Sequence, residues 1–312
     1  MSTIAMLGAT TVPVAATGSL TITVSDASAT LGKKVTVSGQ GPALRRLVLQ
    51  LRTKENGWQQ LASVRTGLAG TYAFTAPGWQ GSHRLRVVAP PALLIAGEVS
   101  AEVTVTVTMP YRPRGRAKDW SWLGHRGARW DPCRTVAYRI NPRGGYPRAT
   151  SDTRAAFRKV GRATGFRFKY LGSTTRTVTR YEHGYHPDDT DLIVDWQSPA
   201  EERGMAGGVA GIGGHWVLDG RRFDGFVLLD PTERLARRTW RQVITHELGH
   251  VLGLGHARSP SQLMHGTSSP GNTRLGAGDL AGLRRIDASR GCLTASAARV
   301  LPGAAPVPAD AT

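Results

Sequence analysis

The feature that most constrains the fold is the segment HELGHVLGLGH, which runs from His246 to His256. His246 and His250 are four residues apart, so in a helix both imidazoles project from one face and can share one metal ion. Gly253 can end that helix, because glycine adopts a positive φ at little cost. The spacing therefore predicts a helix that stops at Gly253 and a chain that returns with His256 as a third ligand.

Glu247 follows His246 directly and can lean over the metal to take a proton from water. Three neutral imidazoles leave a fourth coordination position open, as a catalytic zinc site requires and a structural one does not. The short HExxH motif alone also occurs by accident on solvent-facing helices. Gly253 and His256 in register, with Met264 eight residues beyond, make the longer pattern far more specific. The sequence therefore predicts a zinc centre with Glu247 as the general base.

The segment from His246 to Met264 resembles the metzincin clan of zinc peptidases, and the chain over roughly residues 120–295 resembles the matrixins within it. The zinc ligands that this resemblance implies are His246, His250 and His256. It further implies that Met264 lies in a turn beneath the metal. The expected fold is an α+β catalytic domain with a mixed twisted sheet, an active-site helix and a C-terminal helix. The expected substrate is a protein or peptide.

In matrixins an edge strand binds the substrate backbone by strand addition, and the glycine-rich segment AGGVAGIGG lies at the corresponding place. The residues expected in this strand are Gly208, Val209, Ala210 and Gly211. A flexible loop is the alternative for the same segment. The specificity of cleavage would depend on the loop after Met264, whose shape the sequence does not give.

Two features of the family are missing from this sequence, and calcium binding lacks support. The cysteine switch that keeps matrixin precursors latent is absent. The histidines outside the motif do not form the family's structural zinc pattern, so surface or packing roles are favoured over a second metal site: His183, His186 and His215. The acidic residues that could bind calcium are as readily a solvated loop: Asp188, Asp189 and Asp191.

Short runs rich in β-branched residues, separated by turn signals every 8 to 12 residues or so, extend from Leu20 to Val107 and predict a small β-sandwich. Gly57-Trp58 and Gly70-Thr71-Tyr72 resemble the immunoglobulin-like repeats of exported bacterial proteins. We therefore expect an immunoglobulin-like sandwich over residues 18–108. No cluster of catalytic residue types occurs in it, so its role would be binding, spacing or assistance to folding.

The remaining boundaries follow from composition. The predicted segments are a truncated signal peptide at 1–17, a linker at 109–119, the catalytic domain at 120–295 and a disordered tail at 296–312. Within the catalytic domain the pattern predicts a helix over 150–163 with a Ser or Thr N-cap. The predicted strands are 135–140, 166–170, 192–196, 209–212 and 226–229, and the segment AGDLAGLRRIDA predicts a closing helix.

The formal net charge is +18, which could indicate a nucleic-acid partner, but the basic residues are spread along the chain and favour a solvated surface without one. Cys133 and Cys292 could close one disulfide, which would require an oxidising compartment, or remain free thiols. No stretch is apolar enough to span a bilayer. We therefore expect a secreted monomer. A binding protein with a vestigial zinc domain and a zinc hydrolase of non-peptide bonds are the alternatives.

Overall fold

The structure is a computed structural model that describes residues 20–179, 186 and 189–293. The predicted signal peptide at 1–17 and tail at 296–312 therefore lie outside the described residues, as do His183 and Asp188. The described chain forms two domains, one built from strands alone and one built from strands and helices.

The first domain is made of two β-sheets. Its strands are β1 Thr23–Val24, β2 Ser28–Thr30, β3 Thr36–Gln40, β4 Arg46–Thr53, β5 Gly57–Arg65, β6 Thr71–Thr75, β7 Gly81–Ala89, β8 Glu98–Val99 and β9 Val103–Thr108. One sheet has the order β1-β3-β6, and the other has the order β2-β9-β7-β4-β5 with β8 paired to β7. Alternate side chains of both sheets point inward, as the period of two predicts.

One apolar cluster lies between these two sheets. Val37 and Phe74 come from the smaller sheet, whereas Leu49, Leu85 and Val105 come from the larger one, and all five are buried. This packing is that of a β-sandwich, and the predicted strands are present. The assignment of the sandwich to the immunoglobulin-like class stays a prediction.

The second domain has a five-stranded mixed sheet with the order β12-β11-β13-β15-β14. Its strands are β11 Thr135–Ile140, β12 Arg167–Ser173, β13 Leu192–Trp196, β14 Gly211–Leu218 and β15 Arg221–Leu229. The four strands β12, β11, β13 and β15 run parallel to one another, and β14 lies antiparallel to β15 at one edge. A separate two-stranded sheet joins β10 Ser121–Trp122 to β16 Leu254–Gly255. The helices are α1 Ala149–Thr164, α2 Arg237–Leu252 and α3 Ala277–Leu283.

Several of these elements begin differently from the sequence prediction; β12, for example, begins at Arg167 and not at 166, and β15 at Arg221 and not at 226. The N-cap of α1 is Arg148, which makes no side-chain capping bond, so the predicted Ser or Thr N-cap is wrong. The strand predicted at 209–212 begins only at Gly211 and continues to Leu218 as β14. The bounds of β14 are set by its pairing with β15, which runs from Gly211 to Leu218 and is a tertiary contact that the local pattern does not show. The closing helix α3 likewise ends at Leu283, short of the apolar pattern that predicted it.

The segment at 109–119 has no helix or strand, and it lies against the second domain. The Tyr111 hydroxyl donates a hydrogen bond to the carbonyl oxygen of Leu275, at 3.1 Å. The Asp119 carboxylate accepts from the backbone N–H groups of Arg258 and Ser259. The segment that connects the domains is therefore fastened along one side of the second domain.

The two domains also meet through the β4–β5 hairpin. The backbone N–H groups of Lys54 and Glu55 donate to the carbonyl oxygens of Ser289 and Arg290. The Glu55 carboxylate pairs with the buried guanidinium of Arg129, which is 2% exposed, and with Arg290. The Arg129 guanidinium is withdrawn from water and needs such a partner to offset its desolvation, whereas Glu55 stays partly exposed.

Cys133 and Cys292 form a disulfide close to this interface, so of the two alternatives for the cysteines the structure has the bonded one. It ties the chain that enters the second domain to the chain that leaves it, 159 residues apart. Among the described helices, none has the length and apolar character needed to cross a membrane.

Candidate metal centre

Helix α2 carries two of the three histidines of the motif and is held by its apolar face. Trp240, Val243, Ile244, Leu248 and Val251 are all buried in the core of the second domain. Packing of this kind, more than intrinsic propensity, fixes a helix in a folded protein. The polar residues of the motif are thereby fixed in direction.

Gly253 ends α2 with a φ of 103°, in the left-handed region where glycine is favoured. Its backbone N–H donates to the carbonyl oxygen of His250 at 2.8 Å. A methyl group at this position would lie 2.1 Å from the guanidinium carbon of Arg222. Gly253 is therefore required by both its backbone conformation and its close neighbour.

His256 is delivered by the short strand β16. Leu254 pairs with Trp122 and Gly255 with Ser121 across the two-stranded sheet. The Ser121 hydroxyl donates to the backbone carbonyl of His256 at 2.8 Å. The start of the second domain thus holds the third histidine in place, a contact between residues far apart in the chain that no local pattern signals.

The three imidazoles converge through their Nε2 atoms. His246 Nε2 lies 3.0 Å from His250 Nε2 and 3.3 Å from His256 Nε2. The Nε2 atoms of His250 and His256 are 3.1 Å apart. Tetrahedral coordination with zinc–nitrogen bonds of about 2.0–2.1 Å separates nitrogens by about 3.3 Å. Three nitrogens that face one another at this spacing fit a shared zinc ion, and the same three residues form a group that could hold a metal.

The other ring nitrogens of two histidines are bound to backbone carbonyls. His246 Nδ1 lies 2.8 Å from the oxygen of Leu263, and His250 Nδ1 lies 2.7 Å from the oxygen of Leu254. A carbonyl oxygen can only accept, so Nδ1 carries the proton and Nε2 presents its lone pair. The backbone therefore selects the tautomer that binds a metal.

Burial in the cleft shifts the ionisation of the same groups. It lowers the pKa of His246 to about 4 and that of His250 well below its ordinary value, so both imidazoles are neutral at physiological pH. Burial raises the pKa of Glu247 to about 8, against an opposing hydrogen bond from the Gly213 backbone. A cation held beside Glu247 would favour its ionised form.

Glu247 lies against the glycine-rich strand β14. A methyl group at Gly213 would come within 2.1 Å of the Glu247 carbonyl oxygen, and one at Gly211 within 2.9 Å of its Cγ. The glycines therefore let β14 approach α2 closely enough to form one wall of the cleft. This accounts for a run of glycines that a flexible loop would also explain at the level of sequence.

Met264 packs against Gly249, the residue before His250, where a methyl group would lie 2.3 Å from its Sδ atom. Asp279 of α3, which is fully buried, fixes the turn around it. Its carboxylate accepts from the backbone N–H groups of Leu263 at 2.6 Å and Met264 at 3.1 Å. Because the Leu263 carbonyl orients His246, Asp279 positions a ligand through the turn. Sequence reasoning missed Asp279, although it lies in the predicted closing helix.

A second support runs beneath His250. His215 Nδ1 donates to the carbonyl oxygen of His250 at 2.9 Å, and Arg222 Nε donates to His215 Nε2 at 2.9 Å. Both side chains are buried, and burial lowers the pKa of Arg222 to about 9 and that of His215 well below its usual value. His215 thus has the packing role favoured from sequence, and the end of α2 rests on this pair.

The cleft above the histidines is about 360 Å³ in volume and opens beside the edge strand. Gly208, Ala210 and Gly211 line it together with the three histidines and Glu247. Val209 does not, because it is buried in a separate apolar cluster with Met205. The structure therefore brings three of the four expected strand residues to the cleft, although only Gly211 belongs to β14 itself.

The other residues considered for calcium or a second metal that the structure describes all have protein partners. Asp189 pairs with Arg139 at 3.0 Å, and Asp191 accepts from the backbone N–H of Ala137. His186 Nε2 lies 3.0 Å from the carbonyl oxygen of Gly225. Among the described residues, none of these three belongs to a group that could hold a metal ion.

Comparison with known proteins gives a match to one family model and similarity to solved structures, of which one is described here. The family model described as Matrixin matches residues 129–287, just over half of the chain. No curated protein matches. The crystal structure of archaemetzincin from Methanopyrus kandleri is similar at 17% sequence identity with a TM-score of 0.30, and the match covers 55% of this chain and 93% of that one. A likeness at that level carries no weight for function, so the family match is the informative result.

Proposed function

Since the chain belongs to the matrixin family of zinc-dependent peptidases, we propose that it is a secreted endopeptidase that hydrolyses internal peptide bonds. The observation that carries the proposal is the convergence of three imidazoles, with their Nε2 atoms within 3.3 Å of one another, in a cleft that Glu247 also lines. This donor set holds zinc and leaves a coordination position open.

His246, His250 and His256 would hold the metal, which when bound polarises a carbonyl and makes water more acidic. Glu247 then accepts a proton from water at its carboxylate and passes it to the leaving amine nitrogen. Glu247 is 5% exposed, so its carboxylate is largely shielded from bulk water. Asp279 and His215 keep the ligands oriented through the backbone atoms that they bind.

The edge strand supports a mode of substrate binding. β14 pairs on one side with β15, and residues 208, 210 and 211 line the cleft at its start. A substrate in extended conformation would add to this edge and place its scissile carbonyl near the histidines. The cleft also contains Leu235 and Val243, which suit an apolar side chain of the substrate.

Secretion, domain class and oligomeric state belong to the same proposal. The disulfide between Cys133 and Cys292 supports export, because such bonds persist in oxidising compartments. The two-sheet sandwich is compatible with the immunoglobulin-like class and would serve as a rigid spacer or binding module. We expect the enzyme to act as a monomer on protein or peptide substrates.

The test is zinc content together with cleavage of a denatured protein by wild-type enzyme and by Glu247→Gln. We expect zinc near stoichiometry in both, and a loss of turnover of about 10²–10⁴-fold in the variant. A chelator should abolish cleavage by the wild type. Glu102→Gln, the same chemical change on an exposed side chain of the sandwich, is the matched control and should cleave like the wild type.

Cleavage retained by metal-loaded Glu247→Gln would remove the assigned base, and a wild-type protein without zinc would remove the proposed function. If purified protein binds zinc but cleaves only a non-peptide bond, the endopeptidase assignment is wrong while the metal centre stands. Each result thus addresses a different part of the proposal.

A further inference from the structure

A second cleft, which shares no lining residue with the cleft at the three histidines, is lined by four arginines. It lies between the connecting segment and the second domain and has a volume of about 380 Å³. Its basic residues, here called the arginine cleft, are Arg112, Arg114, Arg238 and Arg274. No acidic residue is found among its described lining residues.

The arginine cleft continues into a neighbouring cavity along α1 and α2. Arg238, Thr273 and Arg274 line both cavities, so the two form one groove. On α1 the further basic residues are Arg158, Lys159 and Arg162, at the spacing of one helix face, and on α2 Arg241 lies one turn from Arg238. Two basic helix faces therefore border a single groove.

The positive charge in this groove is largely unneutralised. The acidic residue in its described lining, Asp152, already accepts two hydrogen bonds from Arg237 and one from Tyr146, and of the groove's basic residues it pairs with Arg241, at 3.8 Å. Arg112, Arg114 and Arg238 are exposed, and their guanidinium groups have no partner among the described residues.

Lys159 shows the effect of this excess. The pKa of Lys159 is lowered to about 8, mainly by burial; the charge of Arg241 and, less strongly, that of Arg274 add to this effect, whereas Asp279 opposes it. Its ammonium donates to the Thr273 carbonyl at 3.3 Å, and no carboxylate of the described part of the chain pairs with it. The basic neighbours contribute to this shift, and a groove with an excess of positive charge attracts anions.

We propose that this groove binds a linear polyanion through its phosphate or sulfate groups, with the arginine cleft as the strongest part of the site. Arginine presents a planar fork of donors that matches such oxyanions. The groove also runs across the joint between the connecting segment and the second domain, so a bound polymer would fasten the two together. Such binding would hold the enzyme on an anionic surface and does not depend on its peptidase activity.

The groove favours a polymer without bases over a nucleic acid. Single-stranded nucleic acid is bound by stacking of bases on open aromatic faces as well as by backbone charge. The aromatic ring in the arginine cleft, Tyr111, is already covered by the guanidinium of Arg274 at 5.0 Å from its centroid. Its hydroxyl is engaged with Leu275. The groove therefore offers charges and no stacking platform among its described residues.

The test is binding of fluorescently labelled linear polyphosphate and of dextran sulfate to the full chain, by anisotropy over a range of sodium chloride concentrations. The triple variant Arg112→Ser, Arg114→Ser, Arg238→Ser should weaken binding of the preferred polymer at least about tenfold and reduce its salt dependence by about two ions. The matched control removes three exposed arginines elsewhere: Arg65→Ser, Arg126→Ser and Arg285→Ser. It should change binding less than about threefold.

The two polymers distinguish a phosphate from a sulfate source, and tighter binding of either one at the groove supports the proposal. Equal weakening by both triple variants would show that only net charge matters and would overturn it. So would displacement of both polymers by single-stranded DNA at a lower concentration of charge. If the triple variant does not fold, as judged by circular dichroism, the linker-only variant Arg112→Ser, Arg114→Ser must show the same direction of change.

Discussion

The two domains bury different kinds of side chains. The described sandwich buries five polar or charged residues, and none of them is an acid, a lysine or an arginine. The second domain buries, among others, Asp195, Asp279, Glu247 and the guanidiniums of Arg129 and Arg222. A β-sandwich can be held by apolar contacts alone, whereas the second domain has charged groups fixed inside it.

This difference follows from what each domain has to hold. Apolar packing fixes volume and shape but gives little control over the direction of a single imidazole. Directional control comes from hydrogen bonds to buried groups, which are costly when one partner is lost. We therefore expect the second domain to be the more sensitive to single substitutions, and each prediction below pairs it with the sandwich.

The largest effect should come from the disulfide. Replacing both cysteines, Cys133→Ser and Cys292→Ser, frees a loop with a sequence separation of 159 residues. The loss of chain constraint lowers the free energy of unfolding by about 5 kcal/mol in the entropic account. Hydrogen exchange should show faster opening in β11 and much less change in β4. Equal loss of protection in both domains would mean that they unfold as one unit.

The next effect should come from the buried acid beneath the metal centre. Asp279→Ala leaves the backbone N–H groups of Leu263, Met264 and Gly276 without their acceptor, at a cost of about 3–4 kcal/mol. Zinc affinity should fall as well, because the turn orients His246. Chemical unfolding and zinc titration measure the two changes.

Ser100→Ala is the corresponding change in the sandwich. Ser100 is 7% exposed, and its hydroxyl accepts from the Val87 N–H at 2.9 Å and donates to the Ala101 carbonyl at 2.7 Å. Its loss should cost about 1 kcal/mol and leave zinc affinity unchanged. A larger loss for Ser100→Ala than for Asp279→Ala would reverse the comparison.

The third effect concerns the interface between the domains. Glu55→Gln removes the carboxylate from the buried Arg129, which should cost about 2–3 kcal/mol. Glu102→Gln removes the partner of Arg84, an exposed pair within the sandwich, and should cost less than about 0.5 kcal/mol. Thermal unfolding of the two variants measures the difference. Similar losses of stability in the two variants would show that burial of Arg129 adds nothing to the contribution of its ion pair.

The same contrast explains what the sequence could predict. The motif residues His246, His250 and Gly253 lie within two helical turns, so spacing alone predicts the helix, its end and the shared face. Strand β13 was predicted with its observed bounds because a short, mostly apolar run, here interrupted only by Asp195, suits a strand buried on both faces. Patterns of this kind depend on neighbours in the chain.

The contacts that no local pattern signals join distant parts of the chain. Ser121 holds the backbone of His256 across 135 residues, and Arg129 reaches Glu55 across 74. Asp279 could have been found as an acid at the start of a predicted helix, but that position by itself predicts helix stabilisation. Its role in the methionine turn depends on which loop packs against α3. Spacing along the chain therefore predicts the three histidines, whereas the residues that hold them in place depend on long-range contacts.

The smallest effect should be the acid sensitivity of the interface. Burial opposes ionisation of Glu55, but Arg129 and Arg290 outweigh it and hold the pKa of Glu55 below its ordinary 4.5. A depressed pKa means that the stabilisation is present above pH 4.5 or so and is lost as the pH falls through the lower folded value. Protection of the Lys54 and Glu55 amides against exchange should therefore weaken below that pH in the wild type. In Glu55→Gln this protection should already be weaker at neutral pH and should change less with acid. If the variant keeps the wild-type acid response, a group other than Glu55 is responsible for it.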